Sequence, residues 1–311
     1  MNPGRTKTSI DFTIGSRRLL AVGRDLGTRS FTLEEVLSLA PARLNPPKPG
    51  ADGLRVLSAP HARIEEITSL FPNHLVGGRT SYQRNYIAMA DETGAPASFE
   101  DYLARFSAKT RSTLRRKARK LEKVAGEFTI TEHQTPAETE EFLNLAIPLS
   151  AKTHQARLLD AGLPDSPSDR AAMLAAAEEG RMRCFLLRVA GQAVAYLSLP
   201  VVGRSLVYAH LGYDSDFARL SPGTVLQIEA LKRLFAEQRF AYFDFTEGDG
   251  AHKSMFGTDS VHCSSFVVLD PTLANRALLS ARQAFDTSVS GAKSIATKSG
   301  ALGRIRSVLR A

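Results

Sequence analysis

The chain has 311 residues, 43% apolar and 23% charged, the balance of a globular protein with a sizeable core, and its longest apolar run, VAYLSLPVV at 194–202, falls well short of the roughly 20 residues a membrane-spanning helix needs. The N-terminus shows no secretory leader pattern, and two cysteines without CxxC or Cys/His spacing exclude a disulfide framework and a zinc site, so cytoplasmic residence, no metal and two buried thiols at Cys184 and Cys263 are expected. The net charge of +8 is unevenly placed: residues 107–123, SAKTRSTLRRKARKLEK, hold eight Lys/Arg against one Glu, and residues 271–311 hold seven against one Asp, so the remainder is net acidic.

In the first 50 residues, RRLLAVG and FTLEEVLSLA are short apolar runs, closed by the Pro/Gly-rich loop PARLNPPKPGADG. RVLSAP and NYIAMA read as strands flanking a helix, ARIEEITSLF. Ser98, with Asp101 three residues on, has the spacing of a capping box for SFEDYLARF. From Leu103 a stripe of Phe106, Thr110, Leu114, Ala118 and Leu121 predicts helix with one narrow buried face, a break at Ser107 and a stop at Gly126. EFTITEH reads as a strand, Pro136 to about His154 as helix, LLDAGLPDSPSD as a loop and DRAAMLAAAEEG as helix. RMRCFLLRVAGQAVAYLSLPVVGRSLVYAHLGYD contains three β-rich runs parted by Ala-Gly and Val-Gly-Arg, the pattern of consecutive antiparallel strands. Ser221-Pro222-Gly223 opens an amphipathic helix, TVLQIEALKRLFAEQ, with proline in its first turn; RFAYFDFTEG and SSFVVLD follow as strands around a glycine-containing loop. That order implies an α+β fold with a mixed, mostly antiparallel sheet flanked by helices.

Four groups of residues, in this order and spacing, resemble one family: SFEDYLARFSAKTRSTLRRKARKLEK at 98–123, GYDSDFARLSPGTVL at 212–226, YFDFTEGD at 242–249 and HKSMFG at 252–257. The likeness is to the GNAT acyltransferase superfamily, in the branch typified by CelD-like and BioF-like acetyltransferase domains and related to the Fem peptidyltransferases. Two departures stand out. His252 occupies a position where that branch usually has tyrosine, and Leu220–Thr224 replaces the glycine-rich pyrophosphate signature of ordinary acetyl-CoA enzymes. The resemblance implies two GNAT-like halves, the first degenerate: residues 1–97, a basic bridging helix at 98–126, an acyltransferase domain at 127–270 and a basic tail at 271–311. It also implies acetyl-CoA or another acyl-CoA as cosubstrate and an amine of an envelope, polysaccharide or lipid-related acceptor. An aminoacyl-tRNA-dependent, Fem-like transferase is the alternative.

Acyl transfer to an amine needs a stabilised oxyanion, a proton acceptor and a hold on the donor's phosphates. Ser221, Gly223 and Thr224 answer the last need, since the first turn of a helix offers unpaired N–H groups and hydroxyls to an anion; the same residues would serve as a plain helix cap. Lys253 resembles the lysine that the family places near the reacting carbonyl, and a glycine-rich loop is expected to carry it. Asp244, Glu247, Asp249, His210 and His252 are the candidates for the base, with Asp244 equally readable as a structural acceptor. Tyr213 and His252 are expected at the acceptor, and Asp214 as a turn former.

The basic helix admits three readings besides a solvated face: attraction of an anionic donor or phosphorylated acceptor, with Arg111, Arg115 and Arg119 foremost; nucleic-acid binding; and attachment to an anionic membrane. No aromatic falls between 107 and 123, so no DNA partner is expected. Peripheral association with the inner face of a membrane falls to the tail, where Leu302, Ile305, Val308 and Leu309 recur at helical spacing among arginines.

Overall fold

A computed structural model describes residues 6–14, 17–38, 44, 52–91, 93–153, 162–248 and 250–298; Asp249 and the stretch holding Leu302, Ile305, Val308 and Leu309 lie outside the described residues. In chain order the elements are β1 (Thr6–Ile14), β2 (Arg17–Ser30), α1 (Leu33–Ser38), β3 (Gly53–Pro60), α2 (Ile64–Ser69), β4 (Leu75–Ala88), α3 (Phe99–Ala104), α4 (Ala108–Ala125), β5 (Phe128–His133) and α5 (Pro136–Ala151). They continue with α6 (Pro167–Glu178), β6 (Met182–Val189), β7 (Gln192–Val202), β8 (Ser205–Val207), β9 (His210–Tyr213), α7 (Pro222–Ala236), β10 (Tyr242–Asp244), α8 (Ala251–Phe256), β11 (Asp259–Leu269) and α9 (Leu273–Lys298). Among the described residues no helix is long and apolar enough to cross a membrane.

The chain divides by packing into two units, residues 1–82 with 262–311 and residues 83–261. In the first, β1 and β2 form an antiparallel hairpin, β2 runs parallel to β3, and β3 pairs antiparallel with β11. Ile10 and Phe12 from β1, Leu26 from β2 and Val267 and Leu269 from β11 make a core that Leu278 of α9 completes. The described part of the expected basic tail is therefore a helix that contributes to a core.

In the second unit, cap chemistry sets the helices. Ser98 accepts from the Asp101 N–H at 3.0 Å, Ser107 accepts from the Thr110 N–H at 3.2 Å, and Gly126 at φ +91° ends α4. Thr135 and Glu138 close a full capping box on α5. The strands run in the order β4-β10-β8-β7-β6-β5, with β9 also on β7. Side chains of β6 alternate between two helical layers, which is why MRCFLLRV is buried along nearly all of its length, Arg183 included. Phe185, Leu187 and Val189 face α7, α3 and α4 through Leu226, Leu231, Phe235, Phe99, Tyr102 and Leu121, while Met182, Cys184 and Leu186 face α5 through Phe142 and Ala146. Both cysteines are fully buried, and burial pushes the Cys184 thiol up to about 12.

Gly212 of β9 lies against the buried Tyr196 ring, whose hydroxyl bonds Ser150 Oγ at 2.9 Å. A Cβ at Gly212 would sit 2.4–2.6 Å from that ring. Gly212→Ala is therefore expected to cost about 1–3 kcal/mol by overpacking, read as a lower urea midpoint with an unchanged m-value.

Candidate active site

Within residues 83–261 the strand after β7 pairs with β7 in both of its parts but with β10 only in the first. Its first part, β8, pairs parallel with β10 (Ser205↔Tyr242 to Val207↔Asp244), whereas its second part, β9, pairs with β7 (Ser198↔His210 to Ala195↔Tyr213). The Tyr208 N–H still donates to the Asp244 carbonyl at 2.8 Å, and beyond it Phe245 N–H turns to Asn85 O at 3.0 Å. The two strands thus part at Tyr208 and Asp244, leaving an opening between β9 and β10.

Asp244 is 1% exposed and takes the Arg84 guanidinium on both carboxylate oxygens, with Nε to Oδ1 at 3.0 Å. Its Oδ1 also accepts the Thr246 N–H at 2.8 Å. Thr246 adopts φ +61°, a costly conformation for a β-branched residue, and this hydrogen bond helps hold it there. The chain then re-enters as α8, which carries His252 and Lys253. Lys253 stands on this short helix, not in a free loop, because Gly250 and Gly257 bound it and Phe256 anchors it in the core. Lys253 Nζ donates to the Glu247 carbonyl, drawing the helix toward the turn.

Facing this is the start of α7. Ser221 sits at the N-cap in the left-handed region, φ +55°, and its side chain makes no capping bond. Lys117 of α4 reaches across so that Nζ lies 3.3 Å from Thr224 Oγ1, and burial lowers its pKa. An ammonium set against the positive end of a helix is a repulsive pairing that an anion between them converts to attraction. On the floor, fully buried Gln227 meets His252, Oε1 to Nε2 at 2.7 Å. Burial, then the nearby Lys117 and Lys253 charges, holds the His252 pKa below the usual histidine value.

Residues 108–254 match the family model of the acetyltransferase (GNAT) domain. Among solved structures the chain is similar to FemX, at 11% identity over 86% of this chain and 89% of that one, TM-score 0.51. It is also similar to L-PGS from Bacillus licheniformis, at 14% identity over 74% and 72%, TM-score 0.46, and to a GCN5-related N-acetyltransferase from Kribbella flavida, at 13% over 72% and 71%, TM-score 0.36. The FemX likeness bears on the fold. No curated protein matches the chain.

The matched stretch gathers most of the residues expected from sequence around the opening. His210 begins β9 with its pKa lowered by burial. Tyr213 ends β9, and a Cβ on Gly223 would come within 2.9 Å of Leu211 Cδ2 and 3.1 Å of Tyr213 Cδ1, so glycine there lets α7 pack closely on β9. Asp214 caps the turn after β9 through the Asp216 N–H. Arg111 donates to the carbonyls of Ala104 and Phe106 at the end of α3, and Arg115 and Arg119 lie on the exposed face of α4 over a shallow depression. The cation beside α7 is Lys117, which sequence reasoning passed over. It lies three residues after Leu114 and four before Leu121, flanking the buried stripe, while Arg115 and Arg119 fall on the other side of the helix. Arg84 and Gln227 were also missed; Gln227, four before Leu231 on the buried face of α7, is a polar break in an apolar stripe. Among the described residues no cluster of three or more metal-ligating side chains occurs.

Removing the Asp244 charge takes the carboxylate from a buried guanidinium at 6% exposure. Asp244→Asn is expected to lower the unfolding free energy by about 3–5 kcal/mol, measured by equilibrium denaturation. A loss below 1 kcal/mol would show that the pair does not hold the opening.

Proposed function

We propose that the chain is an N-acyltransferase that moves an acyl group from acetyl-CoA or another acyl-CoA to an amine of an envelope, polysaccharide or lipid-related acceptor. The observation that carries this reading is the uncapped start of α7 with Lys117 against Thr224, beside the parting of β9 and β10 in a GNAT domain. Ser221, Gly223 and Thr224 with Lys117 would receive the donor's phosphates, as N–H dipoles and an ammonium do. The donor's acyl group would then lie along the exposed strand edges, with Lys253 supplying positive charge to the developing oxyanion. Asp244 serves this site by fixing the turn that presents α8; His210 and Tyr213 line the β9 side. Arg115, Arg116 and Arg119 form an exposed cationic surface that favours a polyanionic reactant, which keeps aminoacyl-tRNA as the competing donor.

Thermal melting with acetyl-CoA, longer acyl-CoAs and tRNA separates the two donors. Saturating acyl-CoA, at about 100 times its Kd, should stabilise the protein by about 2.7 kcal/mol. Lys117→Gln should weaken acyl-CoA binding roughly tenfold, the effect of losing one charge-assisted phosphate contact. No stabilisation by any acyl-CoA, together with tRNA binding that falls steeply with salt, would replace the CoA donor by aminoacyl-tRNA. With the donor in hand, Lys253→Met should reduce kcat by roughly 100-fold or more with an unchanged melting temperature; wild-type turnover would remove Lys253 from the site.

A further inference from the structure

Gln227 and His252 form a pair that the acyl-transfer reading leaves unused. Gln227 is 0% exposed, and although its Oε1 lies 2.7 Å from His252 Nε2, its own Nε2 has no hydrogen-bond partner among the described residues. A buried amide N–H group without a partner costs about 1–3 kcal/mol, and a leucine would fill the apolar face of α7 without that penalty. The amide is explained by what its oxygen does. A carbonyl oxygen can only accept, so the His252 nitrogen facing it must carry the proton. A neutral imidazole then holds its lone pair on Nδ1.

The groups around the ring favour that neutral state. Lys117 approaches from α4 and Lys253 from α8; Tyr208, at the junction of β8 and β9, lies tilted to the ring at 6.5 Å between centroids, and Phe256 at 4.7 Å. Tyr208 is the residue at which β8–β9 leaves β10, so His252 stands at the mouth of the opening. An amide partner fixes the tautomer without adding negative charge, which would raise the histidine's pKa and fill the accepting site with a proton.

We propose that His252 is the proton acceptor of the transfer, through Nδ1, and that Gln227 is the residue that positions it. The proposal rests on the acyl-transfer reading. The acceptor's amine nitrogen forms a bond to the acyl carbon as its proton passes to His252 Nδ1. The carbon–sulfur bond of the thioester then breaks with its electron pair leaving on sulfur, and the imidazolium returns the proton to that thiolate. Amide and free thiol are the products, and the His252 Nε2–H keeps donating to Gln227 Oε1 throughout.

Nitrogen-15 histidine spectra of the full chain, with His252 assigned by comparison with His252→Gln, read the tautomer without any donor or acceptor. A neutral Nε2–H ring at pH 7 is expected, titrating below the ordinary histidine value. Gln227→Glu should raise that midpoint by about one to three units. An Nδ1–H ring, or a wild-type midpoint at or above the ordinary value, overturns the positioning role. In the acetyl-CoA assay, His252→Gln should lower kcat roughly 100-fold or more with the donor KM unchanged. The acid limb of kcat should move upward in Gln227→Glu together with the spectroscopic midpoint. Unchanged kcat in His252→Gln, or an acid limb indifferent to Gln227→Glu, overturns the catalytic role. Absence of turnover in the wild type with every donor defeats the acyl-transfer reading and the catalytic role with it, while the tautomer spectrum still decides whether Gln227 orients His252.

Discussion

The Asp244 carboxylate is the constraint on which the geometry of residues 83–261 turns. It lies at the last residue of β10, where the sheet opens, and it satisfies Arg84 from β4 and the N–H of Thr246 at the same time. A fully buried ion pair contributes little net stability, since desolvation offsets most of the attraction, but it tolerates few geometries. Here it fixes where the strand ends and how the chain leaves it. The left-handed turn at Thr246 follows, and the following helix is anchored at its far end. The Tyr102 hydroxyl donates to Phe256 O at 3.0 Å and the Thr258 N–H donates to Tyr86 O at 2.8 Å. Short helix α8 is therefore clamped at its C-terminal end and directed at its N-terminal end, and its position relative to α7 depends on both.

Positive charge around α4 is divided by depth. Lys117 is half-buried and within hydrogen-bond range of Thr224, so little solvent screens its field at the start of α7. Arg115, Arg116 and Arg119 are exposed, and beyond about 8 Å their influence is screened at physiological ionic strength. The two sets do different physical work from one helix: contact energy from the first, attraction of anions at range from the second. Lys120 adds to the contact set by donating to Arg219 O at 3.0 Å, in the turn that leads into α7.

Much of the fold was legible because local chemistry and periodicity agreed. Ser98, Ser107 and Gly126 marked helix ends by their side-chain or backbone requirements, and the Ala-Gly and Val-Gly-Arg breaks marked consecutive antiparallel strands. The site was legible only in part. Period-two alternation put Asp244 on a sheet face but could not choose between proton acceptor and structural anchor, because Arg84 lies 160 residues away in sequence. Helix α8 has six residues, too few for an apolar period, so its glycine-rich flanks read as loop throughout. Counting cations favoured Arg111, Arg115 and Arg119. Only helical phase against Leu114 and Leu121 singles out Lys117, and phase has no force until the partner of the buried stripe is known.

Local rules fail at several places in residues 83–261: Ala190 and Gln238 hold positive φ, and Thr139 Oγ1 and Arg188 Nε are buried without a partner among the described residues, away from the opening, while three further cases lie beside it. Ser221 and Thr246 hold positive φ without being glycine, and Gln227 buries an amide group without a full set of partners. Strained backbone of this kind costs about 1–3 kcal/mol at each position, and an orphaned amide a similar amount. Against a total stability of roughly 5–15 kcal/mol these are large concessions. Core packing elsewhere would relieve each of them if stability were the only demand: glycine suits both turns, and leucine suits position 227. All three instead border the opening between β9 and β10, one at the start of α7, one on its buried face and one in the turn before α8. Ala190, in the turn between β6 and β7, and Gln238, just past α7, bear the same backbone cost where the chain must reverse; the three at the opening differ in bordering the residues proposed for the transfer, and a chemical demand there accounts for a cost that chain reversal alone does not require.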